Sequence, residues 1–344
     1  MQKANSDKIK LVVYISMAVI ALILIIFLIL REPDPQYSER SFQTLGTYVT
    51  VRVAGEKVST NTLLDIIENE LNRINDKFSA NNSSSVIYEL NKNREIKADD
   101  ETLFLINSAL NISKITGSAF DLTVRPLVRL WGFDDEFSEK RLPEQWEIEN
   151  ILNIIDYRFI EVDESASRIR ILKEGLEIDL GGIAKGYAVD RAINRVKEID
   201  AGATGFVDAG GDIGIIGPKF GKLPWSIGIR NPRAESAYEI NDIVHLYSGS
   251  IATSGDYERF FFEGDVRYHH ILDPKTGYPA KNAISVTVIG DNLLMADALA
   301  TAIFVLGYDN PGFDYFTNLG VQAMIISPDL DIKETKGFNY FRGK

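Results

Sequence analysis

Two of the chain's three histidines stand side by side, in Tyr268-His269-His270-Ile271-Leu272-Asp273-Pro274-Lys275-Thr276-Gly277-Tyr278-Pro279. The ordinary histidine pKa suits proton transfer near neutrality. The spacing is not that of a zinc-binding helix, so zinc is not implied. Asp-Pro-x-Thr-Gly is also a plain turn sequence, which would make the pair structural. A second segment, Ile178-Asp179-Leu180-Gly181-Gly182-Ile183-Ala184-Lys185-Gly186-Tyr187-Ala188-Val189-Asp190, ends a strand with an acid, turns on two glycines and opens a helix with a lysine. Free N–H groups at a helix start attract anions, and a lysine there adds a point charge for phosphate. The Walker spacing is absent, and a βα turn with a solvated lysine fits equally well. In Met295-Ala296-Asp297-Ala298-Leu299-Ala300-Thr301, Asp297 and Thr301 are four apart and share a helix face. A carboxylate and a hydroxyl on one face suit a hard cation such as Mg²⁺. The bland alternative is a helix-start Asp and a Thr bonding back to its own helix.

Three further segments are rich in turn and polar residues. Gly117-Ser118-Ala119-Phe120-Asp121-Leu122-Thr123 reads as a helix cap and turn, or as a ligand contact. Val207-Asp208-Ala209-Gly210-Gly211-Asp212 allows close backbone approach, but lacks the dinucleotide fingerprint and is as well explained by a hairpin turn. Ile251-Ala252-Thr253-Ser254-Gly255-Asp256-Tyr257-Glu258-Arg259 precedes the histidines.

These segments need a scaffold. The chain has 344 residues, 45 % hydrophobic and 25 % charged, an ordinary globular composition. A net charge of −12 argues against nucleic acid as a partner. The absence of cysteine removes disulfides, thiolate nucleophiles, iron–sulfur clusters and a lipoprotein cysteine. Residues Leu11 to Leu30 form an uncharged apolar run of twenty, enough to span a bilayer, and Lys3, Lys8 and Lys10 precede it. The expectation is a cytoplasmic stretch 1–10, a retained anchor 11–30, a tether 31–40 and an extracytoplasmic domain 41–344 on the cell membrane.

Apolar spacing predicts helices over 61–78, 99–116, 145–155, 183–199 and 293–305. Strands are expected over 42–53, 159–162, 168–172, 177–180, 205–217, 225–230, 243–247, 250–253, 283–289 and 321–326. The mixed order favours an α+β fold, with helices packed on mixed or antiparallel sheets behind one transmembrane helix.

Taken together and in order, the strings IDLGGIAKGYAVD, IATSGDYERF, YHHILDPKTGYP and ADALATAIFVLG make the chain resemble the ApbE family of FAD:protein FMN transferases, from about Phe42 to about Leu306. The resemblance implies Mg²⁺-dependent transfer of FMN from FAD to a Ser or Thr hydroxyl of an acceptor flavoprotein, through a phosphoester, with release of AMP. The acceptor motif it implies is Asp-x-x-Ser/Thr-Gly-Ala-Ser/Thr. It places Leu45, Asn81, Ala119, Phe120, Asp121, Asp179, Lys185, His270 and Ile271 at FAD contacts. Leu45 stands where the family usually has Met, and Asn81 where it usually has a stacking Tyr. It assigns metal binding to the carbonyl of Gly182 and the side chains of Asp297 and Thr301, and the base to His270. Asp256 is a second candidate base. Two alternatives share these residues: an FAD pyrophosphatase that uses water as acceptor, and a flavin-binding module without catalysis.

Overall fold

The structure is a computed structural model. It describes residues 34–343 apart from 136, 235, 237 and 238, together with six helical positions between 14 and 22. The remainder of the expected anchor and the stretch 1–10 lie outside the described residues. Among the described residues no helix is long and apolar enough to cross a membrane.

A compact unit runs from Tyr37 to the C-terminus. Its strands are β1 Ser38–Thr44, β2 Thr47–Ala54, β3 Glu95–Lys97, β4 Ile160–Asp163, β5 Arg168–Ile171, β6 Thr204–Ala209, β7 Asp212–Gly217, β8 Trp225–Arg230, β9 Ile240–Leu246, β10 Ser250–Gly255, β11 Phe260–Glu263, β12 Val266–His269, β13 Ser285–Gly290, β14 Gln322–Ile326 and β15 Ile332–Glu334. Its α-helices are α1 Thr60–Phe78, α2 Val86–Asn93, α3 Asp100–Ile115, α4 Arg125–Leu130, α5 Gln145–Leu152, α6 Ala184–Ile199 and α7 Leu293–Leu306. The fold is α+β, as expected.

Eight strands form one antiparallel sheet in the order β1-β2-β6-β7-β10-β13-β14-β15. Strand alternation gives this sheet two apolar faces. Val49, Val51, Val207, Val286, Val288 and Ile325 join the core shared with the helices. Ile215, Ile251, Ile289, Met324 and Ile326 join a second core with Trp225, Val244 and Leu246 of the β8–β9 hairpin. A small sheet β3-β5-β4 and the β11–β12 hairpin stand apart from it.

Helix α7 is apolar nearly all round and buried, which marks a central helix. It packs on β10, β13 and α6, and α6 packs in turn on α1. A third cluster of Leu127, Trp131, Phe133, Ile148 and Leu272 ties α4 and α5 to the histidine loop.

Three expectations change. Ser38 to Arg40, placed in the tether, begin β1, where Arg40 pairs with Asp65 and Glu68 of α1 at 2.7 Å. Residues 177–180 form no strand, because their partners are not another strand. The Asn91 side chain takes both the N–H (2.7 Å) and the carbonyl (2.9 Å) of Ile178, and Asp179 N–H donates to Leu122 O at 2.8 Å. Helix α2 and the β11–β12 hairpin are additions to the predicted elements.

Candidate active site between two helices

Helix α6 starts without a side-chain cap. Its Gly186 N–H donates instead to Asp297 Oδ2 of α7, at 3.0 Å. A Cβ at Gly186 would lie 2.3 Å from the Leu293 carbonyl, so only glycine permits this approach of the two helices. Just before α6, a Cβ at Gly182 would lie 3.2 Å from the Phe120 ring and 3.8 Å from the Thr301 hydroxyl. The Gly-Gly turn, Phe120, Asp297 and Thr301 therefore meet, and Ser254 Oγ adds itself 3.3 Å from Thr301 Oγ1.

The charges are packed unevenly. Asp297 is 6 % exposed, and its pKa is pushed up to about 7 by burial and by the charge of Asp212, with Lys185 opposing. The Lys185 ammonium pairs with Asp212 Oδ2. Burial works to lower the lysine pKa, but the charges of Asp212 and Asp297 outweigh it and raise it. Asp212 Oδ1 accepts the Thr253 N–H at 3.0 Å, which fixes the lysine's partner.

Asp297, Thr301 and the Gly182 carbonyl offer oxygen donors alone, the set a hard cation prefers. Among the described residues no group of three or more His, Cys, Asp or Glu side chains could hold a metal. A cation here would have a single carboxylate from the protein. That fits Mg²⁺, which keeps waters and takes phosphate oxygens.

The adjacent histidines separate by hydrogen bonding. A carbonyl can only accept, so His269 Nε2, 2.9 Å from Ala280 O, carries a proton. Its Nδ1 accepts the Ile271 N–H at 3.3 Å, and the ring is 4 % exposed. Both nitrogens of His269 are thus used, and burial lowers its pKa. His270 is half-buried, and its Nδ1 faces Arg259 O at 3.3 Å, which assigns that proton to Nδ1 and leaves Nε2 as acceptor. Burial, then the charge of Arg259, hold its pKa well below the usual histidine value, so the ring is neutral at neutrality. Ile271 is buried, and its carbonyl accepts the Ala280 N–H at 3.0 Å. Below it, Trp131 Nε1 donates to Gly277 O at 2.9 Å, and Gly277 (φ +73°) leaves no room for a side chain against Ile148.

The other predicted residues have their own partners. Asp179 Oδ1 accepts the Gly181 N–H at 2.5 Å and its Oδ2 accepts from Arg125 at 3.2 Å. Asn81 is clasped, its amide oxygen accepting from Arg125 (2.6 Å) and its amide nitrogen donating to Asp134 O (2.6 Å). Ala119 and Phe120 are buried. Asp121 Oδ1 accepts from Thr123 N and Oγ1 at 2.9 and 2.6 Å, and Oδ2 from Tyr157 N at 3.3 Å, so its side chain serves the turn. Leu45 (φ +54°) is at the tip of the β1–β2 hairpin, whose Thr47 hydroxyl would lie 2.3 Å from a Cβ at Gly210.

Asp256 requires correction. It is a counter-ion, held by Arg233 at 2.8 and 2.7 Å and by Arg267 at 3.4 Å, so both oxygens already accept from guanidinium groups.

Two residues inside the quoted segments had no role assigned by sequence. Asp212 pairs the lysine; its signal was an acid after adjacent glycines. Arg259 stands beside His270, whose ring faces its carbonyl; partial desolvation lowers its pKa, and its Nη1 reaches Phe133 O at 3.4 Å.

The ApbE family model matches residues 45–325. An FAD:protein FMN transferase of Treponema pallidum is 31 % identical over 321 residues, covering 88 % of this chain and 87 % of that protein. The ApbE protein of Thermotoga maritima superposes with a TM-score of 0.86 at 43 % identity, covering 90 % of this chain and all of that one. The apo flavinyl transferase ApbE of Pseudomonas stutzeri superposes at 0.78 with 28 % identity, covering 92 % and 99 %. With the family's segments assembled around α6 and α7, and a family match over most of its length, the chain belongs to the ApbE family.

Proposed function

We propose that this chain transfers FMN from FAD to a Ser or Thr hydroxyl of an acceptor flavoprotein, releasing AMP. The observation that carries this reading is the meeting of Gly182, Phe120, Asp297 and Thr301 beside the Lys185–Asp212 pair. The relatives' names support the same activity.

The acceptor oxygen attacks the phosphorus of the FMN half, and the bond from that phosphorus to the AMP phosphate oxygen breaks. His270 Nε2 is placed to accept the hydroxyl proton, because its Nδ1 is committed to Arg259 O. AMP leaves as its phosphate and needs no proton. Lys185 and Arg259 supply positive charge near the pyrophosphate, and Asp212 orients the lysine. Asp297, Thr301 and the Gly182 carbonyl would hold Mg²⁺, which when bound neutralises phosphate charge. Burial of Asp297 suits this role, since a cation removes the cost of a desolvated carboxylate. The apolar run 11–30 supports a single-pass anchor with the domain outside the cytoplasm, close to membrane-bound acceptors.

The test uses the full chain with FAD, MgCl₂ and a protein carrying the acceptor motif, following AMP release and flavin that survives denaturation. Both signals, lost together in EDTA, are expected. AMP with free FMN alone would turn the reading to a pyrophosphatase. Tight FAD binding with no AMP would turn it to a flavin-binding module.

A further inference from the structure

Asp190 has no place in the chemistry above, yet both its oxygens cross to the neighbouring helix. A helix leaves its first N–H groups without internal partners. In the first turn of α7 those groups are Leu293, Leu294 and Met295. Met295 N–H is capped by the Asn292 side chain at 3.0 Å, and Ala296 N–H donates to the Asn292 carbonyl at 3.3 Å. The first two are capped from another helix: Leu293 N–H donates to Asp190 Oδ1 at 2.9 Å and Leu294 N–H to Asp190 Oδ2 at 2.8 Å. A carboxylate at a helix start is favoured both by these bonds and by the helix dipole.

Asp190 is one turn along α6 from Gly186, and Gly186 N–H grips Asp297, one turn along α7 from Leu293. The two helices are thus joined at two points on one seam. One point is the Asp297 carboxylate; the other fixes where α7 begins. Thr301 is a further turn along the same helix. Gly182 and Lys185 belong to the α6 side of the seam, Asp297 and Thr301 to the α7 side. The distance between the two halves is therefore set by the grip on the first turn of α7.

We propose that Asp190 is a positioning residue for the cation site, holding α7 in register with α6 so that Asp297 and Thr301 face the Gly182 turn. This rests on the reading of Asp297 and Thr301 as cation ligands. Asp190 touches neither the cation nor FAD; it acts through the helix it caps. Asparagine at this position keeps one acceptor but turns an N–H₂ group toward the second backbone N–H, so one contact is lost.

The test titrates the full chain, purified in detergent, with MnCl₂, reading free Mn²⁺ by electron paramagnetic resonance. Wild type is expected to bind, and Asp297→Ala to lose that binding. Asp190→Asn is expected to raise the Mn²⁺ dissociation constant about 10-fold or more, the usual cost of losing an outer partner of a metal site. The control is Asp200→Asn at the opposite end of α6, where the carboxylate accepts the N–H groups of Glu56, Lys57 and Val58 at 2.8, 2.8 and 3.0 Å. It takes the charge from three bonds that all go to Oδ2, which costs stability, and is expected to leave Mn²⁺ affinity within about twofold of wild type. Should Asp190→Asn not fold, Asp190→Glu keeps the carboxylate but displaces it by one methylene, and is expected to weaken Mn²⁺ in the same sense. Unchanged affinity in the folded Asp190 variant, or an equal loss in Asp200→Asn, overturns the positioning role alone. No Mn²⁺ binding by wild type overturns the cation site and this proposal with it.

Discussion

Helix α6 serves two charged clusters, and they are built in contrasting ways. On one face Tyr187 and Arg191 join Glu70, Arg73, Lys77 and Glu101 beside a cleft of about 990 Å³. Arg73 reaches Glu70 at 2.8 Å and Glu101 at 2.7 Å, and Lys77 reaches Asp99 and Glu101 at 2.6 Å. Acids and bases alternate there, and the Arg73 and Lys77 partners hold Glu101 down to about 2. On the other face Lys185 stands between Asp212 and Asp297. There a carboxylate is pushed up to about 7 by burial that its neighbours do not offset. The balanced cluster is content as it is. The unbalanced one gains from a further positive charge, which is the reason for proposing the site there and not in the cleft.

The largest effect that would break this comparison is at Asp297. Asp297→Ala removes the desolvated carboxylate and the charged cation ligand together. Turnover should fall by about 10²–10³-fold while thermal stability holds. AMP release at wild-type rate in Mg²⁺ would remove the contrast between the clusters.

The histidines give the next test. His270→Ala should lower transfer by about 10²–10⁴-fold, the usual range for a general base. His269→Ala should act on stability, by about 1–3 kcal/mol, since it leaves Ala280 O and Ile271 N–H without partners. Measuring kcat and chemical denaturation for both variants separates the roles. Equal losses of kcat would mean that the two rings are not divided as their hydrogen bonds say.

A smaller effect is expected at Lys185. Lys185→Ala should weaken FAD binding by about 10-fold, one charge-assisted contact. Equilibrium titration with FAD checks it, and unchanged affinity would reduce the lysine to a partner of Asp212.

The smallest effects belong to the balanced cluster. Glu101→Gln should cost about 1 kcal/mol of stability and leave turnover unchanged. Its pH signature follows from the sign of the shift. A carboxylate lowered to about 2 in the folded chain adds stability above pH 4.5 that disappears as pH falls toward 2. Wild type should therefore lose stability more steeply in that window than Glu101→Gln. Parallel acid denaturation curves would show that the network adds nothing.

Long amphipathic helices were legible in the sequence. Residues 61–78 and 183–199 show apolar residues at helical spacing, and α1 and α6 lie there within a residue or so. Short elements were not. Helix α2 has eight residues, and its N-cap, Ser85, closes a polar run read as a loop; the Ser85 hydroxyl accepts the Tyr88 N–H at 2.9 Å. Residues 177–180 have a strand's composition, but their hydrogen bonds go to a side-chain amide 87 positions away, which no local pattern encodes. Asp256 was visible as an acid near the histidines, but the guanidinium groups that occupy it come from Arg233 and Arg267.

The sequence by itself determined the residue types at the site and their grouping in segments. A Gly-Gly turn before a helix, an Asp and a Thr four apart, and a histidine loop are local facts, and local spacing records them. The tertiary structure decided which atoms are committed. His269 and His270 are chemically identical in the chain; the Ala280 and Arg259 carbonyls, supplied by other segments, separate them. Asp190 and Asp256 are both acids in quoted segments. One caps a neighbouring helix and the other pairs two arginines, because hydrogen bonds and desolvation depend on what surrounds a group in space.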